Sequence, residues 1–219
     1  MLKKFLAVCA AVGLTALAGC SDANQSAVDD QDKVQAGTCT YPSDGEPARA
    51  VDPPPTTDVQ NSGNTSATLH MSAGDVTIKM DRSHAPCTIN SFISLAQQGF
   101  FDDTECHRLV DHGIFILQCG DPTGTGSGGP GYVMDEELEF TDGYPAGSVA
   151  MAKREQPGTT GSQFFLVWAQ TDLPDEYTVF GTMDEEGLGV VAGIASQGVA
   201  AEDGMSPIAE AKINSVTLG

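Results

Sequence analysis

Basic side chains are scarce in this 219-residue chain. Ten Lys and Arg stand against thirty Asp and Glu, for a formal net charge of −20. Without a basic footprint, nucleic-acid binding is excluded, as is electrostatic attachment to an anionic lipid surface. An acid excess of this size speaks to solubility and self-repulsion, not to fold. Aromatics are also few, at 6% with one tryptophan, whereas glycine is plentiful at 25. That balance suits a turn-rich β fold better than a helix bundle. The apolar run from Phe5 to Leu17 falls short of the ~20 residues of a membrane span. No internal repeat is present. Two further chemistries lack their parts. The glycine-rich stretch 121–131 has no Gly-Lys-Ser/Thr ending and no helix after it, so it is not a phosphate loop. Cys106, His107, His112 and Cys119 do not have finger spacing, and Arg108 would put a cation beside any zinc.

What is present begins with a targeting segment. Lys3 and Lys4 form a positive n-region ahead of the apolar run. The run ends in Leu17-Ala18-Gly19-Cys20, which resembles a bacterial lipobox. That resemblance implies cleavage before Cys20, a lipid on its sulfur, and a protein held to the cell membrane on its extracytoplasmic side. Residues 1–19 are therefore read as a lipoprotein signal peptide, which also contains Cys9. Residues 20–65 are acidic and rich in proline, including Asp52-Pro53-Pro54-Pro55. They carry too few large apolar residues to offset the entropy of ordering. The expectation is a flexible tether, with Cys39 as its one feature that points toward a folded partner.

Folded pattern starts near Ala67. Leu69 and Met71, then Val76, Ile78 and Met80, alternate with polar residues about a turn at 72–75, which is a hairpin of half-buried strands. Ile89, Phe92, Ile93 and Ala96 follow at helical spacing, introduced by Pro86 and stopped by Gly99. Further strands are read at 148–152, 163–168, 177–183 and 208–218, with a short buried helix over 188–196. Strands without a βαβ rhythm predict an antiparallel closed barrel with helices at its ends.

The stretch 106–132 is the centre of the chain. Leu109-Val110 and residues 114–117 are apolar runs about Asp111-His112-Gly113, a hairpin with a longer loop. If Arg108 and Gln118 sit opposite each other, period-2 alternation puts both on one face. His107-Arg108, Phe115 to Asp121, Gly161-Ser162-Gln163-Phe164-Phe165 and Phe180-Gly181 together resemble the signature of the cyclophilins, the cyclosporin-binding peptidyl-prolyl isomerases. The resemblance covers about residues 66–219. It implies a mainly β fold, a closed eight-stranded antiparallel barrel capped by two helices. It also implies a monomer that acts on proline-containing polypeptides during folding of exported proteins, with no cofactor and no metal. Arg108 matches the catalytic arginine. Phe115, Phe165 and Leu173 match walls of the proline pocket, and Gln118 and Gln163 match the glutamines that position substrate. Ile116 stands where a methionine is usual, and Ala152 matches a small residue beside the peptide groove.

Three departures from the family pattern accompany these matches. Lys153 replaces an asparagine that bonds the peptide backbone, within a loop about a residue longer. The pocket tryptophan has no counterpart beside Leu173, which implies weakened cyclosporin binding. Tyr177 replaces a histidine. These departures leave a non-catalytic peptide-binding chaperone or adaptor as the alternative.

The chemistry suits the residues. Rotation about an X-Pro amide is opposed by ~18–20 kcal/mol of resonance. An arginine that hydrogen-bonds the proline nitrogen as it pyramidalises favours the twisted state over both planar ones. After cleavage and lipidation, Cys39, Cys87, Cys106 and Cys119 remain. Four thiols in an exported chain point to disulfides, with three pairings open, or else to buried free thiols. If Arg108 and Gln118 share a face, Cys106 shares it and Cys119 takes the other. Alternation therefore disfavours Cys106–Cys119, and of the two pairings left the one expected here is Cys87–Cys106 with Cys39–Cys119.

Overall fold

The computed structural model describes residues 36–219. The signal segment and Cys20 lie outside the described residues. Strand β1 (Ala36–Gly37) pairs with β2 (Val59–Gln60) in a small antiparallel ribbon. The main sheet follows: β3 (Asn64–Met71), β4 (Gly74–Asp81), β5 (Thr104–Glu105), β6 (Arg108–His112), β7 (Ile114–Cys119), β8 (Ser148–Met151), β9 (Phe164–Val167), β10 (Val179–Met183) and β11 (Lys212–Leu218). Helix α1 (Pro86–Gln97) follows β4, and α2 (Glu185–Ala195) follows β10.

The alternation read in 69–80 becomes the β3–β4 hairpin, in which Leu69 faces Val76 and Ala67 faces Ile78. The nine strands run in the order β5-β11-β3-β4-β10-β8-β9-β7-β6, with antiparallel pairing. The expected closed eight-stranded barrel is therefore a nine-stranded curled sheet. Among the described residues no ladder joins edge strands β5 and β6. They are linked covalently through Cys106-His107 instead. β5 is only two residues long, which leaves no length for a closing ladder.

Inside the curl, Phe92 of α1 meets Phe101, Phe164 and Phe180 at ring-centroid distances of 5.1, 5.6 and 5.3 Å. Such clusters add to the burial of large apolar rings. Helix α1 has Pro86 in its first turn, and Ala85 provides no side-chain cap. The free N–H groups of Cys87 and Thr88 instead donate to the two oxygens of Glu137, at 3.0 and 2.8 Å. This is a distant acid placed where the helix dipole favours one. Asp184 caps α2 by accepting from Gly187 N at 2.8 Å, the ordinary N-cap arrangement.

The tether reading of residues 20–65 needs correction from residue 36 onward. Residues 36–63 are strapped to the domain. Cys39 is bonded to Cys87. Asp44 N and Ala48 N donate to the carbonyls of Gly131 and Gly129, both at 2.9 Å. The Arg49 guanidinium donates to the carbonyls of Gly99, Phe100 and Asp102 at 2.6–3.0 Å, at the end of α1. Order comes here mainly from hydrogen bonds and a disulfide, with only Tyr41, Val51 and Val59 as larger apolar contacts, which is why composition concealed it.

The second disulfide is Cys106–Cys119, so the expected Cys87–Cys106 and Cys39–Cys119 pairs are both overturned. Alternation misled because Cys106 lies outside β6. The chain turns between β5 and β6, with Cys106 N donating to Ala211 O at 2.8 Å. A residue off the strand is not bound by the strand's period.

Candidate active site

The functional side chains lie on the outer face of β7, β8 and β9. Along β9, Phe164 and Leu166 enter the main core, while Phe165 and Val167 join a separate apolar cluster with Ile116, Tyr144 and Ala150. Register builds a single row across four strands: Arg108 faces Gln118, Gln118 faces Phe165, and Phe165 faces Ala150. The expected sharing of one face by Arg108 and Gln118 is met.

A hydrogen-bonded relay runs along this row. Arg108 Nη1 donates to Gln118 Oε1 at 3.1 Å, and Gln118 Nε2 donates to Gln163 Oε1 at 2.8 Å. Gln163 Nε2 in turn donates to the carbonyls of Gly126 and Gly128 at 3.0 and 2.9 Å. Each amide's orientation is thus set by its neighbour, and the guanidinium is held at the groove edge by a neutral partner. Among the described residues no carboxylate pairs with it, so its remaining donors stay available for a ligand.

Behind the relay sits Asp121, buried completely. Its carboxylate accepts from the N–H groups of Thr123, Gly126 and Gly128 at 2.7, 2.7 and 3.0 Å, and from the Thr123 hydroxyl at 2.7 Å. Burial opposes its ionisation, but these bonds outweigh it and hold its pKa below the usual carboxylate range. A side chain at Gly128 would collide with the Asp121 carboxylate, and one at Gly120 (φ +90°) would collide with the Ser162 carbonyl. The loop read as glycine-rich is therefore wound tightly on one buried acid. His107 is 7% exposed, and neither ring nitrogen has a partner among the described residues. Burial pushes its pKa down, partly opposed by Asp121.

Beside the relay is a cavity of about 430 Å³ bordered by Arg108, Ile114, Ile116, Phe165, Leu173 and Tyr177. It opens past Ala152 and Lys153 into a larger basin of about 710 Å³ whose outer wall is Asp44, Glu46 and Ala48 of the strap. Tyr144, buried beneath Phe165, accepts from Tyr177 N at 3.0 Å, and its hydroxyl proton is shared between the carbonyls of Pro174 and Tyr177 at 3.0 and 3.1 Å. It fixes the loop that carries Leu173 and Tyr177.

Of the residues singled out from sequence, Arg108, Ile116, Gln118, Ala152, Gln163, Phe165, Leu173 and Tyr177 come together around the two adjoining cavities. Phe115 does not. It pairs across β6–β7 with Asp111, one step out of phase with Ile116, and packs edge-on against Trp168 at 5.0 Å. Its expected place in the pocket wall is taken by Ile114. The same alternation that aligned Arg108 with Gln118 would have assigned Phe115 to the far face. Trp168 likewise faces the main core, so no tryptophan lines the groove. Sequence reading also missed Met205, whose carbonyl accepts from Leu109 N at 2.8 Å and whose side chain stands at the groove rim. Its only signal was an exposed apolar residue in a polar loop.

A curled antiparallel sheet with two helices and an arginine–glutamine groove on its outer face defines a class of peptide-binding isomerase fold. The profile of the "Cyclophilin type peptidyl-prolyl cis-trans isomerase/CLD" family matches residues 66–218, and the chain belongs to that family. It is 41% identical over 197 residues to a probable peptidyl-prolyl cis-trans isomerase B of Mycobacterium leprae, and 42% identical over 199 residues to the Mycobacterium tuberculosis protein of that name. Each alignment covers 82% of this chain but only 66% and 63% of the relative, so the chain spans about two thirds of their length. Among solved structures, a cyclophilin type peptidyl-prolyl cis-trans isomerase of Cryptosporidium parvum, in the presence of the dipeptide Ala-Pro, superposes with a TM-score of 0.62. It is 28% identical and covers 70% of this chain and 98% of that one.

Proposed function

We propose that this protein accelerates cis-trans rotation of X-Pro bonds in exported polypeptides. The observation that carries the reading is the Arg108–Gln118–Gln163 relay lying against a cavity of about 430 Å³ that has Ile114, Ile116, Phe165 and Leu173 on its apolar wall. Ile114, Ile116, Phe165 and Leu173 hold the ring. Arg108 donates to the proline nitrogen as resonance is lost, an interaction stronger in the twisted state than in either planar one. A fixed charge needs no proton transfer, so no general base or nucleophile is required.

The same reading places the protein outside the cytoplasm, monomeric and attached to the membrane by lipid on Cys20. The support is the Leu17-Ala18-Gly19-Cys20 sequence and the two disulfides, which persist in oxidising compartments. Cyclosporin binds weakly in this reading, because no indole N–H lines the groove.

A protease-coupled assay on a short X-Pro peptide tests the proposal. Turnover that vanishes in a folded Arg108→Ala variant supports it. Peptide binding without turnover in the wild type replaces it with a non-catalytic chaperone or adaptor.

A further inference from the structure

Lys153 is the least settled charge in the groove. Its side chain is 7% exposed, yet its ammonium has only loose acceptors among the described residues. Glu176 Oε2 lies at 3.7 Å and the Arg154 carbonyl at 3.5 Å. The face of Tyr177 lies beneath it, with Nζ 5.5 Å from the ring centroid. An ammonium carries three donors, and charge-assisted bonds prefer about 2.7–2.9 Å. A largely buried cation with no close acceptor costs free energy unless something completes its coordination. Lys153 borders both the cavity beside Arg108 and the larger basin. A peptide running from one to the other crosses it.

Resting on the isomerase reading above, we infer that Lys153 is a specificity-determining residue, which selects substrates carrying a carboxylate on the flank of the proline that enters the basin. Glu176 is the resident stand-in. It is 63% exposed in its side chain, so it can leave for solvent at little cost when a substrate carboxylate arrives. The neighbouring cation Arg154 is already engaged with Asp44 at 2.9 Å, which leaves Lys153 as the cation of this saddle with a loose partner. The whole molecule works the other way. At a net charge of −20 it repels anionic peptides at long range. That repulsion is screened beyond about 8–10 Å at ordinary salt, whereas a contact inside the groove is not. Acidic peptides should therefore gain most at moderate ionic strength.

The test uses peptide pairs that differ only by Glu or Gln, placed one or two residues before or after the proline, with the full-length protein. At one flank the Glu peptide is expected to exceed its Gln partner in kcat/KM by roughly three- to tenfold, the range of one charge-assisted contact. The gain should be carried by KM, not kcat. Lys153→Met should bring the ratio close to one, because Arg108, the other cation of the cavity, lies at the proline and not on the flank that enters the basin. Glu176→Gln, an exposed change that threatens no packing, should widen the ratio. Equal rates at all four positions, a ratio that survives Lys153→Met, or a ratio unmoved by Glu176→Gln would each overturn the inference. If no peptide is turned over, it is the isomerase reading that fails, and the same pairs compared by calorimetric binding still decide whether Lys153 selects carboxylates.

Discussion

At the scale of single residues, the site separates groups that act on a substrate from groups that merely neighbour it. Arg108 is bonded to an amide, not to an acid, so removing it breaks no ion pair and leaves little uncompensated. Arg108→Ala should lower kcat/KM by ~10²–10³, as loss of a preorganised donor does, with near-normal thermal unfolding. Arg108→Lys should recover part, since a point charge does not reproduce the planar fork. Wild-type turnover in a folded Arg108→Ala protein would refute the mechanism. The hairpin yields a second, sharper expectation. Ile114→Ala should raise KM, because Ile114 borders the cavity beside Arg108. Phe115→Ala should leave KM nearly unchanged and lower stability by roughly 1–2 kcal/mol, less than the 3–5 kcal/mol of a fully buried phenylalanine, because its ring is half-buried against Trp168. Steady-state kinetics beside thermal melts of both variants would settle which residue holds the proline. The opposite pattern would mean that the hairpin's register shifts when substrate binds.

At the scale of elements, legibility followed the source of order. Strands β3 and β4 and helix α1 were readable because burial imposes a period, and Leu69, Val76, Ile78, Ile89 and Phe92 keep it; β8 and β9, buried throughout, were readable as short continuous apolar runs. The arginine–glutamine row was readable for the same reason. What resisted was structure held by backbone hydrogen bonds or by departures from a period: the strap at 36–63, the two-residue β5, and Cys106 at a turn between strands. The strap is the clearest case, since Asp44, Ala48 and Arg49 engage carbonyls that any sequence would supply. Its disulfide closes a loop of sequence separation 48. A paired Cys39→Ser, Cys87→Ser variant should lose ~2–4 kcal/mol of stability, read by denaturant unfolding. Limited proteolysis should then cut first within 40–60. Retained resistance there would show that the backbone bonds suffice alone. Because Asp44 and Glu46 wall the larger basin, loosening the strap should also raise KM for longer peptides more than for tetrapeptides.

At the scale of the whole molecule, two expectations concern where the protein sits and over what range of pH it survives. If Cys20 carries lipid, Cys20→Ala should move the protein from the membrane to the soluble fraction and abolish incorporation of labelled fatty acid, since each buried methylene contributes ~0.8 kcal/mol to anchoring. Continued labelling would rule out the lipobox. Acid stability follows from two buried groups with opposite chemistry. Thirty carboxylates invite the idea that acid unfolds the protein by general protonation. Yet among the described residues the carboxylates held below the usual range are Asp81, Asp103, Asp121 and Asp203, and of these only Asp121 is buried. His107 acts first. Its pKa is depressed on folding, so below the ordinary value of 6.5 the unfolded chain takes up a proton that the native state refuses, and stability falls as pH drops from there toward the folded value. Asp121 acts second. Its stabilisation is complete above the ordinary carboxylate value of 3.8 and is lost as pH falls through its lower folded pKa. Stability should therefore fall in two stages. A His107→Gln variant should lack the first stage. Asp121→Asn should be less stable at pH 7 by about 1–3 kcal/mol, because buried N–H groups lose an ionised acceptor, and its deficit against wild type should shrink below pH 3.8. Asp121 also accepts from the N–H groups of Gly126 and Gly128, the residues whose carbonyls orient Gln163, so the same variant should lose turnover at pH 7 even below its melting temperature. Urea melts from pH 3 to 8 with parallel activity measurements test both. A deficit that stays constant through the acid range would show that protonation of Asp121 is not what the second stage reports.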